Sequence, residues 1–324
     1  MERARTSDAK DSGYQEALFE KAAIVDLGGW TVLRLSGRDP VGMLDAVLTR
    51  NLSKEENGGV YAALLNPKGR IQTDLRAVRC EGGVLVVTGS AGGGAAREIL
   101  GRYAPFSRVR LEDLSAGEER WSVLGFYGPD SRDLLGLPEM AEHEGRPLEP
   151  GLIAVRVELP VSGYDLIGAR SALARVRRAL ENRGAVVADE RAYEAARISA
   201  GIPRFGVDLT PENFPGECPT FLRRAVSFEK GCYPGQETVS RMHYRGHPNR
   251  TLHRFEVEGN APQTGAPITQ RGEEVGRVTS VAPLPVGGRV FALGYLSRRA
   301  EPKDEPLYAS SAVLHPSDPP GKDR

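Results

Sequence analysis

Alternating apolar and polar positions predict several short strands, and two of these strands are followed by helical patterns. Residues 30–49, WTVLRLSGRDPVGMLDAVLT, predict a strand, a turn and a helix with an aspartate cap and a proline in its first turn. Residues 121–137, WSVLGFYGPDSRDLLGL, repeat this arrangement. The repeat predicts two related α+β units, because Gly128, Asp130 and Leu135 are spaced as Gly37, Asp39 and Leu44 are.

Between these two units, the pattern predicts further strands. Residues 60–78 and 82–90 predict strand pairs, with the turn at residues 66–69, NPKG. Residues 172–180, ALARVRRAL, predict a helix that ends near Gly184.

After residue 250 the pattern changes to short alternating segments separated by glycine and proline, which is typical of a small antiparallel barrel or sandwich. We therefore expect an α+β fold with a domain boundary near residue 248. The expected α+β body covers residues 14–248 and consists of two interleaved domains, split near residues 30–115 and 116–248. A β-barrel domain is expected at residues 249–315. The ends, residues 1–13 and 316–324, are expected to be disordered.

The overall composition limits the function classes. The chain has 324 residues, of which 40% are hydrophobic and 27% charged, and 43 basic residues balance 43 acidic ones. This balance gives no global field for nucleic acid or anionic membranes. No apolar run approaches the roughly 20 residues of a membrane helix, and the first residues lack the apolar stretch of a signal peptide. We therefore expect a cytoplasmic protein with no membrane partner.

The three cysteines are an odd number without a CxxC motif, so the sequence predicts neither a disulfide framework nor a metal site. Cys232 stands out because glycines flank its segment, KGCYPGQETVSRM, and Pro234 suits the first turn of a following helix. A helix N-terminus and Lys230 would favour a thiolate there. Such a thiol can be a nucleophile, a metal or cluster ligand or a redox sensor, or instead a small buried hydrophobe in a tight turn. Cys80 and Cys218 have no comparable setting, and we expect both to be structural.

A local basic strip follows the cysteine segment, with no acidic residue between Glu237 and Glu256. It combines Arg241, Arg245, Arg250 and Arg254 with three histidines. The strip either binds a carboxylate-rich or phosphate-rich ligand through arginine contacts or forms an ordinary solvated face.

The cysteine segment also carries a resemblance. KGCYPGQE closely resembles the K-G-C-[FY]-x-G-Q-E signature of the YgfZ family, which are folate-binding proteins implicated in iron–sulfur cluster assembly or repair. The likeness extends through residues 197–210, RISAGIPRFGVDLT, and residues 69–75, GRIQTDL. Residues 272–280, GEEVGRVTS, look like the C-terminal barrel of the wider aminomethyltransferase, or glycine-cleavage T-protein, superfamily.

This resemblance implies two related α+β domains and a C-terminal antiparallel β-barrel around a central channel that binds tetrahydrofolate or a derivative. It implies Cys232 and Lys230 as the reactive pair. The other motif positions are Gly231, Tyr233, Gly235, Gln236 and Glu237. Asp74 matches an acidic folate-site position, and we expect folate contacts from Asp74, Arg197, Arg241 and Arg245.

Two departures from the superfamily pattern weaken glycine-cleavage chemistry. Aminomethyltransferases carry a G-E-D-G-Y-E-L type stretch, whereas this chain has PVSGYDL, with Val161 in place of the pterin-binding glutamate. Tyr193 replaces an arginine that is expected to bind the folate tail. The basic strip then becomes a candidate for holding that tail.

The sequence therefore favours a tetrahydrofolate-binding accessory protein that assembles, repairs or maintains iron–sulfur enzymes, such as those that thiomethylate tRNA, through Cys232. Its partners would be folate and transient iron–sulfur client proteins. No stably bound cluster is expected, because a cluster ordinarily takes about four ligands. The alternative is a tetrahydrofolate-dependent aminomethyltransferase of the glycine-cleavage type. Direct nucleic-acid binding is disfavoured, because the net charge is zero and no recognised RNA-binding module is present.

Overall fold

The computed structural model describes residues 13–54, 58–300 and 305–318, which form two open sheets and a closed barrel. A helix, α1, covers described residues 13–20 and precedes the first strand. This mixed architecture confirms the predicted α+β fold class with a C-terminal antiparallel barrel.

The five-stranded sheet is antiparallel throughout and has the order β3-β4-β5-β2-β6. Its strands are β2 (Thr31–Gly37), β3 (Gly59–Leu65), β4 (Ile71–Cys80), β5 (Gly83–Thr88) and β6 (Val109–Asp113). Helices α2 (Pro40–Val47) and α3 (Gly93–Tyr103) pack on this unit, and a 3₁₀ turn (Ala104–Ser107) follows α3. Helix α2 buries Met43, Leu44 and Val47, so the helical spacing in the sequence corresponds to its core face.

The six-stranded sheet has the order β11-β1-β7-β10-β9-β8. Its strands are β1 (Ala23–Asp26), β7 (Trp121–Tyr127), β8 (Gly145–Glu149), β9 (Leu152–Val157), β10 (Gly163–Ala169) and β11 (Val186–Ala188). Its helices are α4 (Ser131–Leu135) and α5 (Arg170–Asn182), and α5 ends before Gly184 as predicted. Only the pairing of β1 with β11 is parallel in this sheet.

The predicted repeat has a structural counterpart in the two strand-to-helix turns. Gly37 and Gly128 adopt φ values of 116° and 113°, and a Cβ atom on either would meet a main-chain oxygen at 2.5 or 2.4 Å. Asp39 and Asp130 then occupy the N-cap positions of α2 and α4, and the Asp39 carboxylate accepts a hydrogen bond from Gly42 N, whereas the Asp130 side chain makes no capping hydrogen bond. Glycine is required at both turns because the backbone is left-handed and closely packed there.

The closed barrel has the order β12-β15-β14-β13-β16-β17. Its strands are β12 (Arg250–Glu258), β13 (Pro267–Gln270), β14 (Glu273–Val281), β15 (Val290–Ser297), β16 (Leu307–Ala309) and β17 (Ala312–Ser317). β17 extends two residues past the predicted barrel end at residue 315, and residue 13 is helical rather than disordered. The rest of the predicted disordered ends, residues 1–12 and 319–324, lies outside the described residues.

The segment between the sheets and the barrel contains α6 (Glu190–Ser199), a 3₁₀ turn (Pro215–Glu217), α7 (Pro219–Ala225) and α8 (Gln236–Arg245). Helix α6 contacts β1 and also β14 and β15 of the barrel, and α7 contacts β3. One buried apolar cluster joins all three parts, since it includes Val87, Val155 and Leu293. Among the described residues, no helix is long and apolar enough to cross a membrane.

Candidate functional site: a central cavity and an exposed thiol loop

A cavity of about 360 Å³ lies between the five-stranded sheet, α6 and α7. Its wall combines aromatic, acidic and basic side chains, among them Trp30, Tyr61, Asp74, Tyr193, Phe205 and Arg224. Ligand pockets typically have volumes of about 300 to 1,000 Å³ and a few well-placed polar groups on a largely apolar wall. The cavity therefore has the size and the lining of a small-molecule site.

Asp74 is one of two predicted site residues that the structure places on this wall, and Arg197 is the other. The hydroxyl of Tyr61 donates a hydrogen bond of 2.6 Å to Asp74 Oδ2. Burial raises the pKa of the Asp74 carboxyl, and the Tyr61 hydrogen bond opposes that shift. An ionised carboxylate can accept about four hydrogen bonds, so Asp74 can accept one from a ligand in addition to that from Tyr61.

Against the raising effect of burial, the charges of Arg76 and Arg224 act on Asp74 and lower the pKa of its carboxyl, and neither residue was among the predicted site residues. Arg224 of α7 lies over the Tyr61 ring, with 5.2 Å between its Cζ atom and the ring centroid. The Arg224 guanidinium also donates to Glu142 Oε1 at 3.0 Å. The strand alternation offered a partial signal, because Asp74 and Arg76 occupy alternate positions of β4 and therefore share a face. No local pattern indicated that α7 would bring Arg224 to that face.

At the cavity wall, a buried ion pair joins the two sheets, and its Arg76 lines the cavity. Arg76 of β4 donates from Nη1 to Asp165 Oδ2 of β10, and the Tyr127 hydroxyl donates to Asp165 Oδ1 at 2.6 Å. Tyr193 stacks on Tyr127 with 5.2 Å between the ring centroids. Asp165 thus serves the contact between the two sheets.

Val161 has only 6% of its surface exposed and belongs to the apolar core cluster. This position therefore offers no hydrogen-bonding group to a ligand. Leu159 and Pro160, just before it, do line the cavity.

Arg197 lines the cavity, but its guanidinium is already engaged. It forms ion pairs with Asp208 at 2.7 Å and Glu194 at 2.9 Å. Asp208 also accepts hydrogen bonds from the hydroxyls of Thr279 and Ser280 in the barrel. The predicted folate contact at Arg197 is therefore a buried link between α6 and the barrel.

Residues 227–235, which carry Cys232 and lead into α8, are called the thiol loop. This loop packs against the turn between β3 and β4. A hydrogen bond of 3.2 Å from Gln236 N to Tyr233 O closes a turn, and Gly235 in it has φ 82° and ψ 1°, the type II values at the third position. A Cβ atom on Gly235 would lie 2.5 Å from Asn66 O and 2.6 Å from Gly69 Cα. Helix α8 begins only at Gln236, so the prediction that Pro234 lies in its first turn was wrong.

Lys230 anchors the same segment. Its ammonium group donates to the main-chain oxygens of Asp45 and Leu48 at the C-terminal end of α2, and it lies 5.1 Å from the Tyr233 ring centroid. Burial lowers the pKa of Lys230 to about 8, whereas the charges of Asp45 and of a Cys232 thiolate oppose this shift. Lys230 is thus a buried anchor that fastens its segment to α2.

The three thiols differ in exposure. Cys232 is exposed, Cys80 is half-buried and Cys218 is buried. Burial raises the pKa of Cys218 to about 12, so that thiol remains protonated and unreactive. No residue from Lys230 to Glu237 is among the lining residues of the cavity, so the structure places the thiol loop and the cavity apart.

Arg241 and Arg245 lie on the exposed side of α8. Neither residue lines the cavity, which corrects the expectation that they hold a ligand there. The cavity has its own arginines, including Arg204, whose side chain is 45% exposed and pairs with Glu194 at 3.0 Å. The spacing of the arginines along the sequence does not show which of them line the cavity, because the position of Arg241 and Arg245 depends on which face of α8 packs against the protein.

Comparisons with known proteins show which domains and whole chains this chain is similar to. The model of the GCVT N-terminal domain matches residues 8–142, and that of the CAF17 C-terminal beta-barrel domain matches residues 250–321. A tRNA-modifying protein YgfZ from Pectobacterium atrosepticum is 26% identical over 279 residues, which cover 80% of this chain and 78% of that protein. An aminomethyltransferase from Streptomyces avermitilis is also 26% identical, over 301 residues that cover 86% of this chain and 79% of that protein.

The fold has a counterpart among solved structures. The glycine cleavage system aminomethyltransferase T from Bartonella henselae superimposes with a TM-score of 0.83 at 18% identity, and the match covers 95% of this chain and 88% of that one. The two domain matches and the YgfZ and aminomethyltransferase relatives support a YgfZ-like member of the GcvT aminomethyltransferase superfamily, and the solved structure shows that the two chains share their fold.

Proposed function

We propose that this protein binds a reduced folate in its central cavity and supports iron–sulfur enzymes through Cys232. The observation that carries the proposal is the combination of an exposed Cys232, in an intact KGCYPGQE segment, with a separate cavity on whose wall Asp74 lies. A buried carboxylate on the wall suits a ligand rich in N–H donors, and an exposed thiol suits a protein partner.

The residues present fit a folate. A pterin ring carries amino and ring N–H donors, for which Asp74 Oδ1 is an acceptor, and Trp30, Tyr61 and Phe205 supply flat apolar surface. Arg204 provides a partly exposed guanidinium for a carboxylate tail. When bound, a reduced folate supplies nitrogen atoms that carry one-carbon units.

The thiol loop has a different role in this proposal. One cysteine cannot hold a stable cluster, which ordinarily takes about four ligands. We therefore assign Cys232 a transient contact with the cluster of a client enzyme, such as those that thiomethylate tRNA. A reducing compartment such as the cytoplasm suits this role, because an exposed free thiol is preserved there.

The proposal is tested in a bacterium that lacks its own YgfZ protein. We expect expression of this chain to restore thiomethylation of tRNA, measured by mass spectrometry of digested nucleosides. Separately, calorimetry under anaerobic conditions measures binding of tetrahydrofolate to the purified protein. Absence of both rescue and binding would overturn the proposal, whereas binding without rescue would leave only the folate site.

The aminomethyltransferase relatives favour a second candidate, a tetrahydrofolate-dependent aminomethyltransferase. The buried Val161 and the stacked Tyr193 oppose it, since neither can replace a charged folate contact. An assay with aminomethyl-lipoyl carrier protein decides between the two. Ammonia release with formation of methylene-tetrahydrofolate would establish the enzyme, and we expect none above the background without protein.

A further inference from the structure

Thr49 lies at the junction between the central cavity and the thiol loop. It lies two residues after the end of α2, next to the C-cap Leu48, and is fully buried. Its hydroxyl donates to Ala225 O at 2.6 Å and accepts a hydrogen bond from Ala63 N at 2.8 Å. A threonine whose hydroxyl satisfies two main-chain groups in the core fixes the relative positions of both segments.

These two segments belong to the cavity wall. Ala63 of β3 is the register partner of Asp74 in β4. Ala225 is the last residue of α7 and directly follows Arg224, which lies on the Tyr61 ring. Thr49 therefore holds the Asp74 strand pair and the Arg224 helix in one arrangement.

The main chain at Thr49 also holds the beginning of the thiol loop. Ser227 N donates to Thr49 O at 3.0 Å. The preceding carbonyl, that of Leu48, accepts from the Lys230 ammonium group. Both contacts lie within five residues of Cys232, so residues 48 and 49 bind the loop at two points.

We propose that Thr49 is a positioning residue that ties the Cys232 loop to the cavity wall, so that its hydroxyl controls both thiol reactivity and folate affinity. The folate half of this inference rests on the proposed function. Without the hydroxyl, the buried carbonyl of Ala225 loses a partner, and the end of α7 moves to recover one. That movement shifts Arg224 on one side and the loop from Ser227 to Cys232 on the other.

The test compares Thr49→Val, which keeps the side-chain shape but removes the hydroxyl, with Thr49→Ser, which retains the hydroxyl. Thr279→Val is a matched control, because it removes a hydroxyl hydrogen bond to Asp208 at the barrel, remote from the thiol loop. Thermal unfolding first establishes that each variant is folded. The rate of alkylation of Cys232 by iodoacetamide is then followed from about pH 6 to about pH 10 by mass spectrometry of its peptide.

We expect Thr49→Val to slow alkylation near neutral pH by about threefold or more, because the displaced loop no longer holds the Cys232 thiol in its exposed position. Calorimetry should show weaker tetrahydrofolate binding by about threefold or more, equivalent to roughly 0.7 kcal/mol. Thr49→Ser should match the wild type in both measurements, and Thr279→Val should match it in the alkylation profile.

An alkylation profile of Thr49→Val that overlaps the wild type would overturn the inference. A change in only one of the two measurements would also overturn the inference, because a link between the thiol loop and the cavity wall predicts a change in both. If the wild type itself binds no folate, the proposed function fails, and the alkylation profile still decides whether Thr49 positions the thiol loop.

Discussion

The ammonium group of Lys230 donates a hydrogen bond of 2.6 Å to the main-chain oxygen of Asp45, at the C-terminal end of α2. The lysine of the KGCYPGQE segment thereby fastens the thiol loop to a helix of the five-stranded sheet unit. A buried cation with carbonyl partners satisfies the end of α2 and fixes where Cys232 is presented.

Lys230→Met should therefore lower the free energy of unfolding by about 1 to 3 kcal/mol at neutral pH, because two buried carbonyls lose their donor. Burial lowers the pKa of Lys230 from 10.5 to about 8, so the unfolded chain binds more protons between these two values. The wild type should accordingly gain stability relative to the variant as the pH rises through that window. Urea unfolding across the window measures both effects. Arg245→Met, on the exposed side of α8, is the control and should show neither.

Gly235 and Gly231 should differ sharply in their tolerance of a side chain. A methyl group on Gly235 would meet main-chain atoms of Asn66 and Gly69 within 2.6 Å, in a left-handed backbone. Gly231 has open space within 4 Å of its Cβ position. Gly235→Ala should cost about 1 to 3 kcal/mol of unfolding free energy, and Gly231→Ala less than about 1 kcal/mol. Equal unfolding midpoints for the two variants would contradict the described packing of the loop.

Asp74→Asn should weaken tetrahydrofolate binding by roughly tenfold or more, because a hydrogen bond to a charged acceptor contributes about 1.5 to 3 kcal/mol. Anaerobic calorimetry gives the dissociation constant. Asp113→Asn is the matched control, since Asp113 pairs with Arg97 and does not line the cavity. Unchanged affinity in Asp74→Asn would remove Asp74 from the proposed site.

Substitutions of arginines on the cavity wall and on α8 should differ in their effect on the affinity for tetrahydrofolate. Arg204→Gln should reduce the affinity for tetrahydrofolate several-fold, because Arg204 lies at the cavity with part of its guanidinium exposed. Arg241→Gln should leave it unchanged, because Arg241 does not line the cavity. The reverse result would restore the basic strip as the binding site of the folate tail.

The sequence predicts those features that depend on local spacing. The turns at Gly37 and Gly128 and the helix that ends before Gly184 follow from glycine, cap and apolar positions within one or two turns of chain. The closed barrel was also indicated by its short alternating strands. The start of α8 was placed too early, because Pro234 fits equally well in a turn and in a first helical turn.

Long-range contacts account for what the sequence did not predict. The pair of Arg76 with Asp165 joins residues 89 positions apart, and Thr49 bonds to a carbonyl 176 positions away. No periodic pattern encodes such partners. The same limit explains why the sequence did not predict the exposure of Arg241 and Arg245. Their exposure depends on which face of α8 packs against the connection between β3 and β4.

In the proposed function, the exposed thiol of Cys232 is the essential group. The most direct measurement is tRNA thiomethylation in a bacterium without its own YgfZ protein, after expression of wild type, Cys232→Ala or Cys80→Ala at matched protein levels. We predict that wild type and Cys80→Ala restore the modification and that Cys232→Ala does not. Full restoration by Cys232→Ala would contradict the proposed role of the thiol and would make Cys232 a structural residue.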